Sequence, residues 1–219
     1  MEKDIKRIAD ALESILEFQK QKQFVNKDQF DFSSCNFFIW SVTQKAFKTV
    51  ENSYLDDLDY LFGIDNQKLK LEENTTFFAK GASVNNVLLW GARGMGKSSL
   101  VRAVVSKVAS KYEILKLVEI PRSALIYLGD ILEQLTNSKY RFVLFCDDLS
   151  FSTEEESYHQ LKSLLDGGVA RYENIVFYAT SNRRHLIARD IRDNTDISKN
   201  DEIDQKVSLS DRFGLWLGF

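Results

Sequence analysis

Apolar runs alternate with amphipathic segments over most of the chain. Continuous apolar runs predict buried strands at 87–90, 114–120, 141–146 and 174–180, and the last residues, 214–219, predict a fifth strand. Between these runs, apolar residues at helical spacing predict helices at 70–80, 99–110, 124–135 and 158–165. Strands that alternate with helices are typical of a parallel sheet with right-handed crossovers. The pattern therefore predicts an α/β fold in which helices flank a five-stranded parallel sheet.

The first 54 residues follow a different pattern. Residues 4–22 predict an amphipathic helix, because apolar side chains fall on one face and most charged ones on the other. That apolar face could pack on its own domain or bind a partner helix. After a polar stretch, the aromatic residues at 37–40 open what we interpret as a second helical segment, which runs to Val50. Its aromatic side chains could dock on the main domain or form an exposed contact patch. We therefore expect an N-terminal helical region, 1–54, followed by an α/β domain, 55–219.

Composition excludes several classes of protein. The net charge of -3 gives no global signal for binding nucleic acid or a membrane surface. No apolar run is long enough to span a bilayer, and the charged N-terminus leads into no signal-like apolar core. We therefore expect no membrane partner. Neither Cys35 nor Cys146 has a metal-ligand spacing, and Cys146 lies in an apolar run, so we expect a reducing, cytoplasmic setting.

The strongest chemical signal lies between the first predicted strand of the α/β domain and the helix that follows it. Residues 91–98 read GARGMGKS and have the form G-x-x-x-x-G-K-[ST]. A loop at this place converges its backbone N–H groups on one spot, and the helix dipole adds positive potential, so a phosphate binds there. Lys97 would reach the β- and γ-phosphates of a nucleoside triphosphate, and Ser98 would ligate Mg²⁺. The expected nucleotide-binding residues are Gly91, Ala92, Arg93, Gly94, Met95, Gly96, Lys97, Ser98 and Ser99.

Polar residues follow the other predicted strands. Asp147 could hold Mg²⁺ opposite Ser98, and Asp148 could orient or deprotonate an attacking water. Asn182 could hydrogen-bond the γ-phosphate or that water, although it could instead be a polar turn cap. Arg212 could act on the γ-phosphate of a neighbouring subunit, or it could be an ordinary surface arginine.

One apolar residue precedes the strand of the phosphate loop at a distance that allows contact with a base. Ile64 could pack against a nucleotide base, or it could simply belong to the hydrophobic core. The spacing does not favour either interpretation.

Several sequence blocks together resemble a known family. The blocks are residues 63–68, 86–101, 145–151, 161–168, 178–185 and 209–215. They resemble the bacterial AAA+ family catalogued as a domain of unknown function (number 815), over residues 55–219. Residues 91–98 are similar to Walker A, Asp147 and Asp148 to Walker B, Asn182 to sensor 1, and Arg212 to the arginine finger. The resemblance implies ATP and Mg²⁺ as ligands, adenine contact by Ile64, and a homo-oligomer in which Arg212 acts between subunits. It supplies no macromolecular substrate.

The chain departs from the general AAA+ pattern in two ways. Asp148 stands where most AAA+ motors have glutamate, and a shorter carboxylate can lower hydrolysis. The chain also ends at Phe219, inside the predicted fifth strand, so it resembles a protein truncated before the helical lid.

Two functions fit this set of residues. The first is an ATPase that couples hydrolysis to remodelling or loading of a macromolecule. The second is an ATP-controlled loader or switch that binds nucleic acid and has negligible hydrolysis. Asp148 and the missing lid favour the second, as would a basic segment at residues 183–192 unless it is a solvated loop. A further possibility is that a truncated chain is not functional alone.

Overall fold

The computed structural model describes residues 30–50, 57–150, 156–165, 172–182 and 212–219. The chain divides into two compact units, Met1–Asp31 and Phe32–Phe219, and the elements described below belong to the second. The helix predicted at 4–22 and the basic segment at 183–192 lie outside the described residues. The second unit includes residues 32–54, which the sequence assigned to the N-terminal helical region.

The described residues contain seven strands, which form one sheet. The strands are β1 Phe37–Ser41, β2 Ala46–Thr49, β3 Val87–Trp90, β4 Leu115–Glu119, β5 Arg141–Cys146, β6 Ile175–Ser181 and β7 Leu215–Gly218. Their order across the sheet is β2-β1-β4-β5-β6-β3-β7. All neighbouring strands are parallel except β1 and β2, which are antiparallel. The five predicted parallel strands are present as β3 to β7, but the predicted strand number is too small by the hairpin β1–β2.

Helices flank this sheet, as the sequence predicts. They are α1 Asp65–Ala79, α2 Lys97–Ala109, α3 Leu128–Thr136 and α4 Glu156–Leu165, with short 3-10 turns at Leu58–Tyr60 and Arg122–Tyr127. Helix α2 packs against α1 and contributes Leu100, Val104 and Val108 to a core that includes alternate residues of the strands. Adjacent strand residues such as Leu88 and Leu89 are both fully buried, so both faces of the sheet are covered.

The predicted second helix at 37–50 is wrong. This segment forms the hairpin β1–β2, whose turn holds Lys45 in the left-handed region (φ 48°). A short run of apolar residues fits a buried strand as well as a helix, so periodicity alone does not separate the two. The deciding contact is distant in sequence, because β1 pairs with β4 and matches Phe37 with Leu117. Phe32 then packs edge-on against Phe38 with ring centroids 5.0 Å apart.

The register of the central strands determines which loops meet. Trp90 of β3 pairs with Ser181 of β6, and Cys146 of β5 pairs with Ala179 of β6. The residues that follow these strands therefore lie together at the carboxyl edge of the sheet. At the other end of β3, Val87 pairs with Leu215, so the start of β7 lies at the amino edge.

Candidate functional site

The phosphate loop joins β3 to α2 in a conformation that requires glycine. Gly94 has φ 78°, and Gly96, the residue before the first turn of α2, has φ 84°. Side chains other than glycine's are strained in this left-handed region. No atom lies within 4 Å of a Cβ added at Gly94, so the requirement there comes from the backbone angle and not from crowding. These glycines shape the loop at the start of a helix, where an anion is stabilised.

Lys97 is the first residue of α2 and turns back into the loop. Its side chain is buried, and the residue is only 6% exposed. The ammonium Nζ donates to the carbonyl oxygens of Gly91 (2.8 Å) and Ala92 (2.6 Å), and lies 3.5 Å from Oδ1 of Asn182. Burial lowers the pKa of Lys97 from its ordinary value, while the carboxylates of Asp147 and Asp148 act to raise it. The cation is thus held by polar oxygens inside the loop that would face a phosphate.

Ser98 and Asp147 meet across the carboxyl edge. The hydroxyl of Ser98 donates to Oδ1 of Asp147 at 2.5 Å, and the hydroxyl of Thr180 donates to the same oxygen. The backbone N–H of Asp148 also donates to this oxygen, at 3.1 Å. Hydroxyl and carboxylate oxygens are the ligands that Mg²⁺ prefers in proteins. This donor set therefore fits a divalent cation beside the phosphate loop.

Asp148 is held from two sides. Its Oδ1 accepts a hydrogen bond from Nδ2 of Asn182 at 2.5 Å, and its Oδ2 lies 3.2 Å from Nη2 of Arg93. Its backbone has φ 52°, and its N–H donates to the hydroxyl of Thr180 at 2.9 Å. The left-handed backbone turns the chain after β5 and leaves the carboxylate half exposed over the loop.

The structure brings most of the sequence-predicted residues into one cleft of about 370 Å³. Its lining includes Arg93, Gly94, Met95, Gly96, Lys97, Ser98, Ser99, Asp147, Asp148 and Asn182. Gly91 and Ala92 contribute the carbonyl oxygens that hold Lys97. The cleft combines backbone N–H groups, two cations and two carboxylates, which is the chemistry needed to bind a metal-bound polyphosphate.

Sequence reasoning missed Thr180 and Arg102. Thr180 interrupts an apolar strand two residues before Asn182, and this position was a usable signal because alternate strand residues share a face. Arg102 forms two contacts to Glu119, at 3.1 and 3.2 Å, and its Nη2 lies 3.9 Å from Oδ2 of Asp147. Nothing in the sequence pairs Arg102 with Glu119, because their strand and helix meet only in the fold.

Besides Gly91 and Ala92, two predicted residues do not line this cleft. Arg212 lies three residues before Leu215, at the amino edge of the sheet, whereas Lys97 lies at the carboxyl edge. Arg212 therefore lies outside the cleft of its own chain. Ile64 is 6% exposed and belongs to the core cluster with Leu71 and Leu100. Its neighbour Leu61 approaches the loop, where a Cβ added to Gly96 would lie 3.4 Å from the Leu61 side chain. Contact of Ile64 with adenine stays a prediction.

A scan of protein families decides the classification. The model for "Protein of unknown function (DUF815)" matches residues 33–219. The chain belongs to the DUF815 family. The match includes the hairpin β1–β2, so the family extends further toward the N-terminus than the resemblance at 55–219 indicated.

Solved structures show the same fold for this DUF815 chain. The RuvB Holliday junction branch migration motor of Thermotoga maritima has 22% sequence identity and a TM-score of 0.50, and the match covers 75% of this chain and 47% of that one. The Orc1 protein of Aeropyrum pernix, solved in complex with DNA, has 16% identity and a TM-score of 0.53, and the match covers 77% and 47%. These similarities confirm the predicted AAA+ P-loop NTPase fold. The chain spans about half the length of these structures, and the comparison with curated proteins finds no match.

Proposed function

We propose that the chain binds ATP with Mg²⁺ at the carboxyl edge of its sheet and hydrolyses it. The observation that carries the proposal is the 2.5 Å contact between Ser98 and Asp147, next to a phosphate loop whose lysine is directed inward. The phosphate loop, the end of β5 and the end of β6 meet there, and together they supply the groups that a metal-bound triphosphate requires.

The loop would bind the phosphates in place of contacts that the protein makes with itself. Lys97 would exchange the carbonyl oxygens of Gly91 and Ala92 for β- and γ-phosphate oxygens, which carry more negative charge. Ser98 and Asp147 would hold Mg²⁺. The metal, when bound, neutralises phosphate charge and polarises the phosphoryl oxygens.

Asp148 and Asn182 would act on the water. The water oxygen bonds to the γ-phosphorus, the bond from that phosphorus to the β,γ-bridging oxygen breaks, and the electron pair stays on ADP. Asp148 accepts the proton that the water loses, and Asn182 orients the carboxylate through the hydrogen bond described above. The products are ADP and inorganic phosphate.

Arg212 would serve a second subunit. Because it lies at the amino edge of its own sheet, it cannot contact a phosphate held by Lys97 of the same chain. A homo-oligomer that places this edge against a neighbour's cleft would supply the positive charge in trans. The oligomer would use hydrolysis to remodel or load a macromolecule.

A combined assay tests this proposal. The chain is incubated with ATP and Mg²⁺, phosphate release is measured, and the particle mass is followed by size-exclusion chromatography with light scattering. We expect magnesium-dependent phosphate release and a larger particle with ATP than without it. Absence of phosphate release at millimolar ATP and Mg²⁺ contradicts the proposal.

A second candidate function is an ATP-controlled nucleic-acid-binding switch with negligible hydrolysis. It is favoured by the short carboxylate of Asp148. It is also favoured by the similarity to a Holliday junction branch migration motor, RuvB, and to Orc1, which was solved in complex with DNA. DNA affinity that needs ATP and falls steeply with salt, without phosphate release, would select this candidate.

For either function we expect a cytoplasmic protein. A separate finding is that, in the described part of the chain, no helix has the length and apolarity to cross a bilayer.

A further inference from the structure

Arg93 occupies a position of the phosphate loop that the general motif leaves open. It follows Gly91 and Ala92 and precedes Gly94, and its side chain is 82% exposed. One guanidinium nitrogen, Nη2, lies 3.2 Å from Oδ2 of Asp148. The residue that we propose to activate water is therefore paired with a cation from the loop that binds the phosphates.

The other oxygen of Asp148 is engaged as well. Oδ1 accepts the 2.5 Å hydrogen bond from Asn182, and the Oδ1 of Asn182 lies 3.5 Å from Nζ of Lys97. A continuous series of polar contacts thus runs around the cleft and connects Arg93, Asp148, Asn182 and Lys97. The two cations in this series, Arg93 and Lys97, contact protein oxygen atoms at the place where phosphate oxygens would lie.

The contact between Arg93 and Asp148 is of a kind that exchanges easily. Exposed ion pairs are screened by water and add little stability, and this one uses a single nitrogen and a single oxygen. A γ-phosphate offers more charge and three oxygens to the planar fork of a guanidinium, and such bidentate contacts are stronger. Since Arg93 is exposed, its side chain can turn without disturbing the core.

We propose that Arg93 is a positioning residue that holds Asp148 in place until a γ-phosphate takes over the guanidinium and releases the carboxylate for water. The inference rests on the proposed ATP site and adds its regulation. ADP lacks the γ-phosphate, so it leaves the pair between Arg93 and Asp148 in place. The same side chain then distinguishes ATP from ADP and couples that distinction to the catalytic carboxylate.

Nucleotide discrimination provides the first test. Dissociation constants for ADP and for the β,γ-imido analogue of ATP are measured with Mg²⁺ for the wild type, Arg93→Ala, Arg93→Lys and the control Lys111→Ala. Lys111 is an exposed cation beyond the far end of α2. We expect Arg93→Ala to weaken binding of the analogue about tenfold and binding of ADP less than about twofold. Arg93→Lys should fall between, because lysine keeps the charge without the fork. The control should change neither constant.

A double-mutant comparison provides the second test. Asp148→Asn removes a negative charge near the phosphates, so it should tighten binding of the ATP analogue whether or not Arg93 is present. If Arg93 moves from Asp148 to the γ-phosphate, the gain in affinity from Asp148→Asn should be about threefold larger with Arg93 present than in Arg93→Ala. Equal gains in the two backgrounds overturn the exchange.

The outcomes separate this inference from the proposed function. A wild type that binds neither nucleotide contradicts the ATP site itself. A wild type that binds both, with Arg93→Ala weakening both equally or neither, contradicts only the role of Arg93. Thermal melting of each variant confirms that the exposed substitution leaves the fold intact.

Discussion

At the scale of single residues, the site consists of side chains that already have protein partners. Lys97 donates to two carbonyl oxygens, Asp147 accepts from two hydroxyls, and Asp148 is paired with Arg93 and Asn182. The contacts of Lys97 and Asp147 satisfy groups that would otherwise be partly desolvated without compensation, whereas the pair of Arg93 and Asp148 is open to water. Binding of a nucleotide is therefore an exchange of partners, and single substitutions should alter binding and chemistry separately.

Lys97→Ala removes the ammonium from the centre of the loop. We expect Mg-ATP affinity to fall about 100-fold or more, since hydrogen bonds to charged groups contribute the most and several are lost together. Fluorescence titration with a labelled ATP measures the change, and Lys111→Ala serves as the charge-matched control. Unchanged ATP affinity in Lys97→Ala would mean that the nucleotide, if one binds, does so elsewhere.

At the scale of elements, the start of α2 and the end of β5 matter most. The helix begins at Lys97 directly after a left-handed glycine, so the loop ends and the helix dipole begins at the same point. Strand β5 is buried over nearly its whole length and carries Asp147 and Asp148 just beyond its end. The rigid strand fixes the carboxylates, while the loop that faces them is more exposed.

Gly96→Ala should destabilise the protein because φ 84° is strained for alanine. We expect a loss of about 1 kcal/mol in the free energy of unfolding, together with weaker phosphate binding. Gly129→Ala is a matched control: this glycine lies inside α3 with no atom within 4 Å of an added Cβ. There alanine should stabilise by about 0.5–1 kcal/mol through its higher helix propensity. Urea unfolding of both variants measures the difference, and equal shifts of the same sign would contradict this explanation.

Cys146 at the end of β5 should resist alkylation. Burial raises the pKa of this thiol to about 12, and the nearby carboxylate of Asp147 acts in the same direction. The reactive thiolate is then scarce at pH 8 and becomes abundant only as the pH rises toward the shifted pKa. Cys35 is partly exposed. We expect iodoacetamide at pH 8 to modify Cys35 first and Cys146 only after unfolding in urea, as read by mass spectrometry. Rapid modification of Cys146 in the folded protein would contradict the buried position of β5.

At the scale of the whole molecule, the sheet separates Arg212 from the nucleotide cleft. The register of β3 against β7 places Arg212 at the amino edge, while Lys97 begins at the carboxyl edge. Phe213, next to it, is buried and packs against Phe177 with ring centroids 6.2 Å apart. A hydrolytic role for Arg212 therefore requires a second subunit.

A complementation experiment tests that requirement. Arg212→Ala should lower hydrolysis about 10³-fold with nucleotide affinity nearly unchanged, because the charge acts only in the transition state. Lys97→Ala subunits keep Arg212 but bind ATP poorly. Mixing the two inactive variants should restore part of the activity, since one supplies the site and the other the arginine. If the mixture stays as inactive as its components, Arg212 does not act in trans.

The amino-acid sequence alone specifies the local features of this protein. Buried parallel strands are continuous apolar runs, so β3 to β7 could be located without a structure. The phosphate loop has a fixed spacing because glycine, lysine and serine each meet a local geometric need, and residues at strand ends follow from strand positions. Lys97, Ser98, Asp147, Asp148 and Asn182 could be selected on this basis, and the structure brings them together.

Which distant segments meet depends on how the whole sheet is assembled. Residues 37–49 form a hairpin because β1 pairs with β4, a contact between residues about 80 positions apart that no local pattern contains. The placement of Arg93 on Asp148, Arg102 on Glu119, and Arg212 at the opposite edge depends equally on strand order and register. The sequence gives the chemistry of each side chain, but the order and register of the strands determine which other side chain it contacts.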